Sequence, residues 1–229
     1  MGGIPIGSLV LNGQLVSYLL FGTASWLVLR YRLRNSPERG LILSLASNAF
    51  WLWLIVWKAG YVLFHPAEAA RQPVSLIYFD GGERGEWLAG LAAAVYCGLK
   101  VRKHRMSVRA AFDHFAAFVF AGWTAREALL AVAGGEPAWF HAASAGFSAV
   151  LLVSLLNFST RSDTPSGVAH AIWFSLGHAF LWFLVPDRSV WFLSFGKPQL
   201  VFLLAAAGLT GWVWLDGKGK RGGFRAEEK

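Results

Sequence analysis

The sequence predicts an all-α integral membrane protein: a bundle of seven transmembrane helices, N-terminus outside and C-terminus in the cytoplasm. Three observations lead there. Hydrophobic residues make up 55% of the 229-residue chain and charged ones only 15%, against about 25% charged in an average soluble domain. Seven apolar runs alternate with short polar loops. The positive charge, a net +8, is concentrated in alternate loops, the distribution that orients membrane proteins. In a soluble chain that charge would suggest nucleic acid. Here it marks loops, and no nucleic-acid partner is expected.

The expected spans, in order, are Leu15–Leu29, Leu41–Phe64, Trp87–Leu99, Ala110–Ala133, Trp139–Asn157, Val168–Val185 and Gln199–Leu215. A bilayer-crossing helix needs about 20 residues, so 229 residues accommodate one such bundle. No Lys or Arg precedes Arg30, so the first run lacks the basic flank of a cleavable signal peptide and is expected to stay in the mature protein. The third run, 13 residues, is short for a bilayer and must tilt, be buried by neighbours, or extend into its loops. Between Pro66 and Glu86 an irregular outer segment is expected. Residues 1–215 form a single transmembrane domain in this reading, and 216–229 a polar cytoplasmic tail. The lone Cys97 excludes an internal disulfide.

Fifteen of the 21 Lys and Arg residues fall in the first set of alternate loops and the tail, among them Arg30, Arg39, Lys100, Arg109, Arg161 and Arg225. Four fall in the other set: Arg71, Arg84, Arg188 and Lys197. This asymmetry requires seven spans to alternate correctly and places the tail in the cytoplasm. Trp87, Trp139 and Trp191 lie near the expected outer boundaries, where indole suits the headgroup layer.

The remaining two cations, Lys58 and Arg126, fall inside spans. At 1.5 Å per residue they lie roughly 26 and 24 Å from the cytoplasmic ends of their helices, both in the outer third. Two readings stand for each. Lys58 either snorkels to the headgroups or binds a ligand. Arg126 either snorkels, pairs locally with a carboxylate, or joins Lys58 on a lipid phosphate. A guanidinium fork suits phosphate, and an ammonium acts as a point charge. Glu127 follows Arg126 but is expected to point about 100° away around the helix. Glu136, His141 and Gln199 lie in the same outer half, and His178 near the midplane. His170 and His178 are too far apart along one helix to share a metal ion. No metal site, cofactor motif or conventional nucleophile–base pair is expected.

Several stretches resemble the bacterial prolipoprotein diacylglyceryl transferases: "VWKAGYVLFHP", "PVSLIYFDGGERGEWLAG", "EPAWFHAASAGFSAVLLVSLL", "PSGVAHAIWFSLGHAFLWFLV" and "GKPQLVFLL". Members of that family are seven-span inner-membrane enzymes, N-out and C-in. They transfer a diacylglyceryl group from phosphatidylglycerol to the cysteine thiol of a lipoprotein precursor. The resemblance implies a phospholipid-handling transferase in the bacterial cytoplasmic (inner) membrane. Its partners would be phosphatidylglycerol or another anionic phospholipid, and a lipoprotein precursor. It implies Lys58, Tyr61, Arg126 and Gln199 as lipid phosphate-binding residues. Glu86, Glu136, His141 and His178 are the catalytic candidates. The sequence departs from the family where the outer-loop histidine gives way to "RGEW", where the fifth-span glutamate falls on Ala142, and where the sixth-span arginine falls on His178. Two alternatives stay open: a catalytically degenerate paralogue that binds lipid or lipoprotein, and a transporter.

Overall fold

A computed structural model describes residues 4–6, 9–11, 13–71, 79–158, 166–186 and 189–226. Among them are eight helices and one short hairpin, β1 (Ile4–Ile6) paired antiparallel with β2 (Leu9–Leu11). The helices are α1 (Gly13–Arg32), α2 (Arg39–Phe64), α3 (Pro66–Arg71), α4 (Gly82–Lys103), α5 (Val108–Val132), α6 (Ala138–Phe158), α7 (Ser166–Phe183) and α8 (Lys197–Ala226). Four are long and apolar enough to cross a membrane: Arg39–Phe64, Val108–Val132, Ala138–Asn157 and Lys197–Asp216. The chain divides into two compact units, Met1–Ala111 and Phe112–Lys229.

Each expected apolar run coincides with one helix, and three expectations change. The third run is not short: α4 spans 22 residues, because "GERGE" before it and "KVRK" after it are also helical. The segment expected to be irregular holds the short helix α3, and Gly82–Glu86 already belong to α4. Its centre, residues 72–78, lies outside the described residues, as do the loop cations Arg161, Arg188 and Lys229. The polar tail continues α8 as far as Ala226.

In the first unit α2 and α4 pack backbone to backbone. Glycines make this possible. A β-carbon on Gly60 would lie 3.2 Å from the Cα atoms of both Gly81 and Gly85. The close approach lets the Gly81 N–H donate to the Trp57 carbonyl at 3.0 Å. Small residues spaced four apart bring apolar helices together in this way. Leu54, Trp57 and Ala89 form the core beside this contact. The Tyr18 ring from α1 meets Trp53 and Trp57 edge-on.

In the second unit Ala116, Ala117, Phe120, Leu151, Leu155 and Phe174 form the core of α5, α6 and α7. Gly177 of α7 leaves room for the Phe147 ring of α6. The Asp113 carboxylate of α5 accepts the Gly167 N–H at 2.7 Å, complementing the positive end of α7. α5 and α8 run antiparallel, with Phe112 on Trp212 at one end and Trp123 on Phe202 towards the other. Continued for three residues, that register brings Gln199 of α8 to the level of Arg126 of α5.

Candidate functional site

The polar cluster of the second unit is built on Glu127. It sits on the buried face of α5, only 2% exposed. A carboxylate there is tolerable only if its oxygens are paired, and both are. Oε1 accepts from Arg126 Nη1 at 2.5 Å, and Oε2 accepts from His141 Nδ1 at 2.6 Å. Arg126 therefore meets its sequence neighbour after all. Its long side chain spans the expected angular offset, so the local carboxylate pair forms. The guanidinium also lies over the Trp123 ring, 5.9 Å from its centre, a cation–π arrangement.

His141 opens α6 directly across from Glu127. A contact of 2.6 Å to a carboxylate oxygen assigns the proton to Nδ1, which leaves Nε2 as the basic nitrogen. The imidazole edge that carries Nε2 lies against Gly135. A β-carbon there would stand 3.0 Å from Nε2 and Cδ2. The glycine of "AGGE" thus lets the loop backbone pack against that edge without a side chain in between. A carboxylate holding Nδ1 of an imidazole fixes its tautomer and stabilises the imidazolium formed when Nε2 takes a proton.

Gln199 completes the level. Its side chain is fully buried. Oε1 accepts the Gly196 N–H at 2.7 Å, while Nε2 has no hydrogen-bond partner among the described residues. A buried donor left so costs about 1–3 kcal/mol, and an acceptor oxygen would remove that cost. Arg126 and Gln199 are the donor types that hold a phosphate.

About one turn below lies a second cluster. Ser144 Oγ is 2.9 Å from His178 Nε2, and Trp123 Nε1 donates to the same Oγ at 3.0 Å. His178 Nδ1 donates to the Phe174 carbonyl at 2.8 Å, so Ser144 donates to Nε2. A nucleophile–base pair was not expected from the sequence, and by distance this is one. Ser144 and His178 are both 0% exposed, with the imidazole between Phe174 and Phe202. The pair, with Trp123, ties α5, α6 and α7 together.

The other candidates lie elsewhere. Glu136 is exposed in the loop between α5 and α6. In the first unit Glu86 Oε1 accepts from Tyr18 Oη at 2.6 Å and Gln14 Nε2 at 2.8 Å, tying α4 to α1. Tyr61 is buried, stacks on His65 and Phe79, and donates to Glu68 at 3.3 Å. Lys58 Nζ donates to the Phe79 carbonyl at 3.2 Å, with Asp80 close enough to attract it. Lys58 belongs to one unit and Arg126 to the other, and each has a partner within its own. No group of three or more His, Cys, Asp or Glu among the described residues is placed to hold a metal ion.

The sequence nominates Arg126, His141 and Gln199 as site residues and sets Glu127 aside as pointing away from Arg126, yet Glu127 joins two of them. The available signal was the 14-residue spacing of Glu127 and His141 across a short loop, which puts both near the same end of adjacent antiparallel helices. Compared with known protein-family models the chain matches none, and no curated protein matches it.

Proposed function

We propose that this chain is a multi-pass membrane transferase acting on an anionic phospholipid, of the diacylglyceryl-transferase kind, in the bacterial cytoplasmic membrane. Seven spans, N-out and C-in, complete the reading. Its catalytic centre is the Arg126–Glu127–His141 cluster, with Gln199 at the same level. The observation that carries it is the Glu127 carboxylate shared by a guanidinium and an imidazole.

In this reading Arg126 and Gln199 hold the lipid phosphate, and His141 Nε2 takes the proton of the acceptor thiol. The thiolate attacks the glyceryl carbon bonded to the phosphate oxygen. A C–S bond forms, the C–O bond breaks, and the phosphate departs with its headgroup. Glu127 orients the imidazole and balances its charge. Lys58, Tyr61 and Glu86 hold the first unit together, and His178 is a packing residue.

The test is purified protein with phosphatidylglycerol and a lipobox peptide. Thioether product is expected, with a loss of about 10²-fold or more in His141→Ala, the scale of a removed general base. No product from the wild type, or full activity in Arg126→Ala, overturns the reading. A second reading is lipid binding without turnover, favoured by the ion pair that already engages Arg126. Phosphatidylglycerol retained through purification, with no product, would select it.

A further inference from the structure

The connection between α7 and α8 carries a feature that the transferase reading does not use. Residues 191–195 form a tight hairpin. The N–H of Trp191 donates to the Phe195 carbonyl at 2.8 Å, and Phe192 and Phe195 exchange hydrogen bonds at 3.1 and 2.8 Å. Its two central residues, Leu193 and Ser194, have φ of 43° and 68°. This is the left-handed pair that a two-residue hairpin turn requires, normally filled by Asn and Gly. Leucine there is conformationally unfavourable, yet it places a large apolar side chain at the tip.

The hairpin is fixed at its base. The Phe195 ring meets Phe183 of α7 edge-on at 5.4 Å. The Gly196 N–H is held by Gln199 of α8. The apolar residues beyond this base are turned outward: Val190, Trp191, Phe192 and Leu193 are all exposed, Leu193 to 73%. Four consecutive apolar side chains, three of them on the hydrogen-bonded turn, form a patch of the kind that marks an interaction surface.

The position of the turn identifies the partner. It leads directly into Lys197–Asp216, a helix long and apolar enough to cross a membrane. Its base therefore lies at the end of a span. Leu193 is three residue steps from Gly196, so the tip reaches at most about 10 Å from that base. The headgroup layer is itself about 5–8 Å deep on each side of the hydrocarbon. Trp and Phe are favoured in that layer, and the exposed Lys197 suits anionic headgroups beside it.

We propose that the hairpin 190–195 is a membrane-inserted anchor, with Trp191, Phe192 and Leu193 seated among the lipids of the leaflet at that end of α8. Through Gly196 the anchor also fixes the amide of Gln199. Insertion itself requires the membrane setting and not the transferase chemistry.

The experiment places a nitroxide label at Leu193→Cys in the full chain, with Cys97→Ala removing the native thiol, in lipid nanodiscs. Glu136→Cys, on the exposed α5–α6 loop at the same end of the unit, is the aqueous control. Collisions with dissolved oxygen and with a water-soluble nickel chelate report depth. The proposal expects the Leu193 label to favour oxygen and be shielded from nickel, the reverse of the control. Nickel access equal to the control's overturns it, because the tip is then in water. Shielding from both reagents also overturns it, because a protein surface then covers the tip. If Leu193→Cys does not purify as a monodisperse protein, Phe192→Cys gives the same reading.

Discussion

Gly81→Ala tests the packing of α2 against α4 at its tightest point. The new methyl would stand 2.8 Å from the Gly85 Cα and the Trp57 carbonyl oxygen, and 3.0 Å from the Gly60 Cα. Unstrained carbon contacts need about 3.5–4.0 Å, and all three neighbours are backbone atoms that cannot rotate aside. To relieve the contacts with Trp57 and Gly60 the helices must part by something on the order of 1 Å, and the contact with Gly85 strains the start of α4 itself. That movement weakens the Gly81–Trp57 hydrogen bond and loosens the core around Trp57 and Ala89. Overpacking costs about 1–3 kcal/mol and the hydrogen bond about 0.5–1.5 kcal/mol. A chain of this size loses roughly 2–4 °C of Tm per kcal/mol, so a fall of about 5–15 °C in detergent micelles is expected. Gly90→Ala is the control. It lies inside α4, the helix that Gly81 precedes, with nothing within 4 Å of its β-carbon, and Gly90→Ala should gain about 0.5–1 kcal/mol of helix stability. A Gly81→Ala protein as stable as wild type, or a Gly90→Ala protein equally damaged, refutes the reasoning.

Two other substitutions separate structure from chemistry. Glu127→Ala leaves Arg126 and His141 without their shared counter-charge and should cost about 3–5 kcal/mol, measured as a lower denaturation midpoint in the same micelles. Arg126→Gln in that background should recover part of the loss, because the uncompensated guanidinium is gone. Ser144→Ala strips a partner from Trp123 Nε1 and His178 Nε2 and should cost about 1–3 kcal/mol, while the transferase rate per folded molecule stays unchanged. A rate that collapses with Ser144 intact in fold but not in side chain would make the buried pair catalytic.

Helix positions were legible because apolar run length sets them: all seven expected runs fall on helices. Boundaries were less legible where polar residues continue a helix, as "KVRK" does at the end of α4 and the tail does beyond Asp216. Hydropathy reads solvent preference, and hydrogen bonding along the backbone ignores it. The role of "DGGERGE" was invisible for a related reason. Glycines that permit close approach and glycines that make turns look alike until the facing backbone, here Trp57 to Gly60, is in place. Arg126, His141 and Gln199 could be nominated because polar groups inside apolar helices are costly. Glu127 was set aside on its angular offset because a helical wheel treats side chains as radial spokes, whereas Arg126 is long enough to bend around the helix. Lys58 drew attention as a lone cation in a hydrocarbon run. Its partner, the Phe79 carbonyl, is a backbone atom 21 residues away, which no residue-type pattern encodes.

The most direct measurement is mass spectrometry of a lipobox peptide incubated with the purified protein and phosphatidylglycerol, run in parallel for wild type, His141→Ala and Ser144→Ala. The account predicts a diacylglyceryl thioether with wild type and Ser144→Ala, and its loss by about 10²-fold or more with His141→Ala. Product undiminished in His141→Ala, or absent from folded wild-type protein, contradicts it.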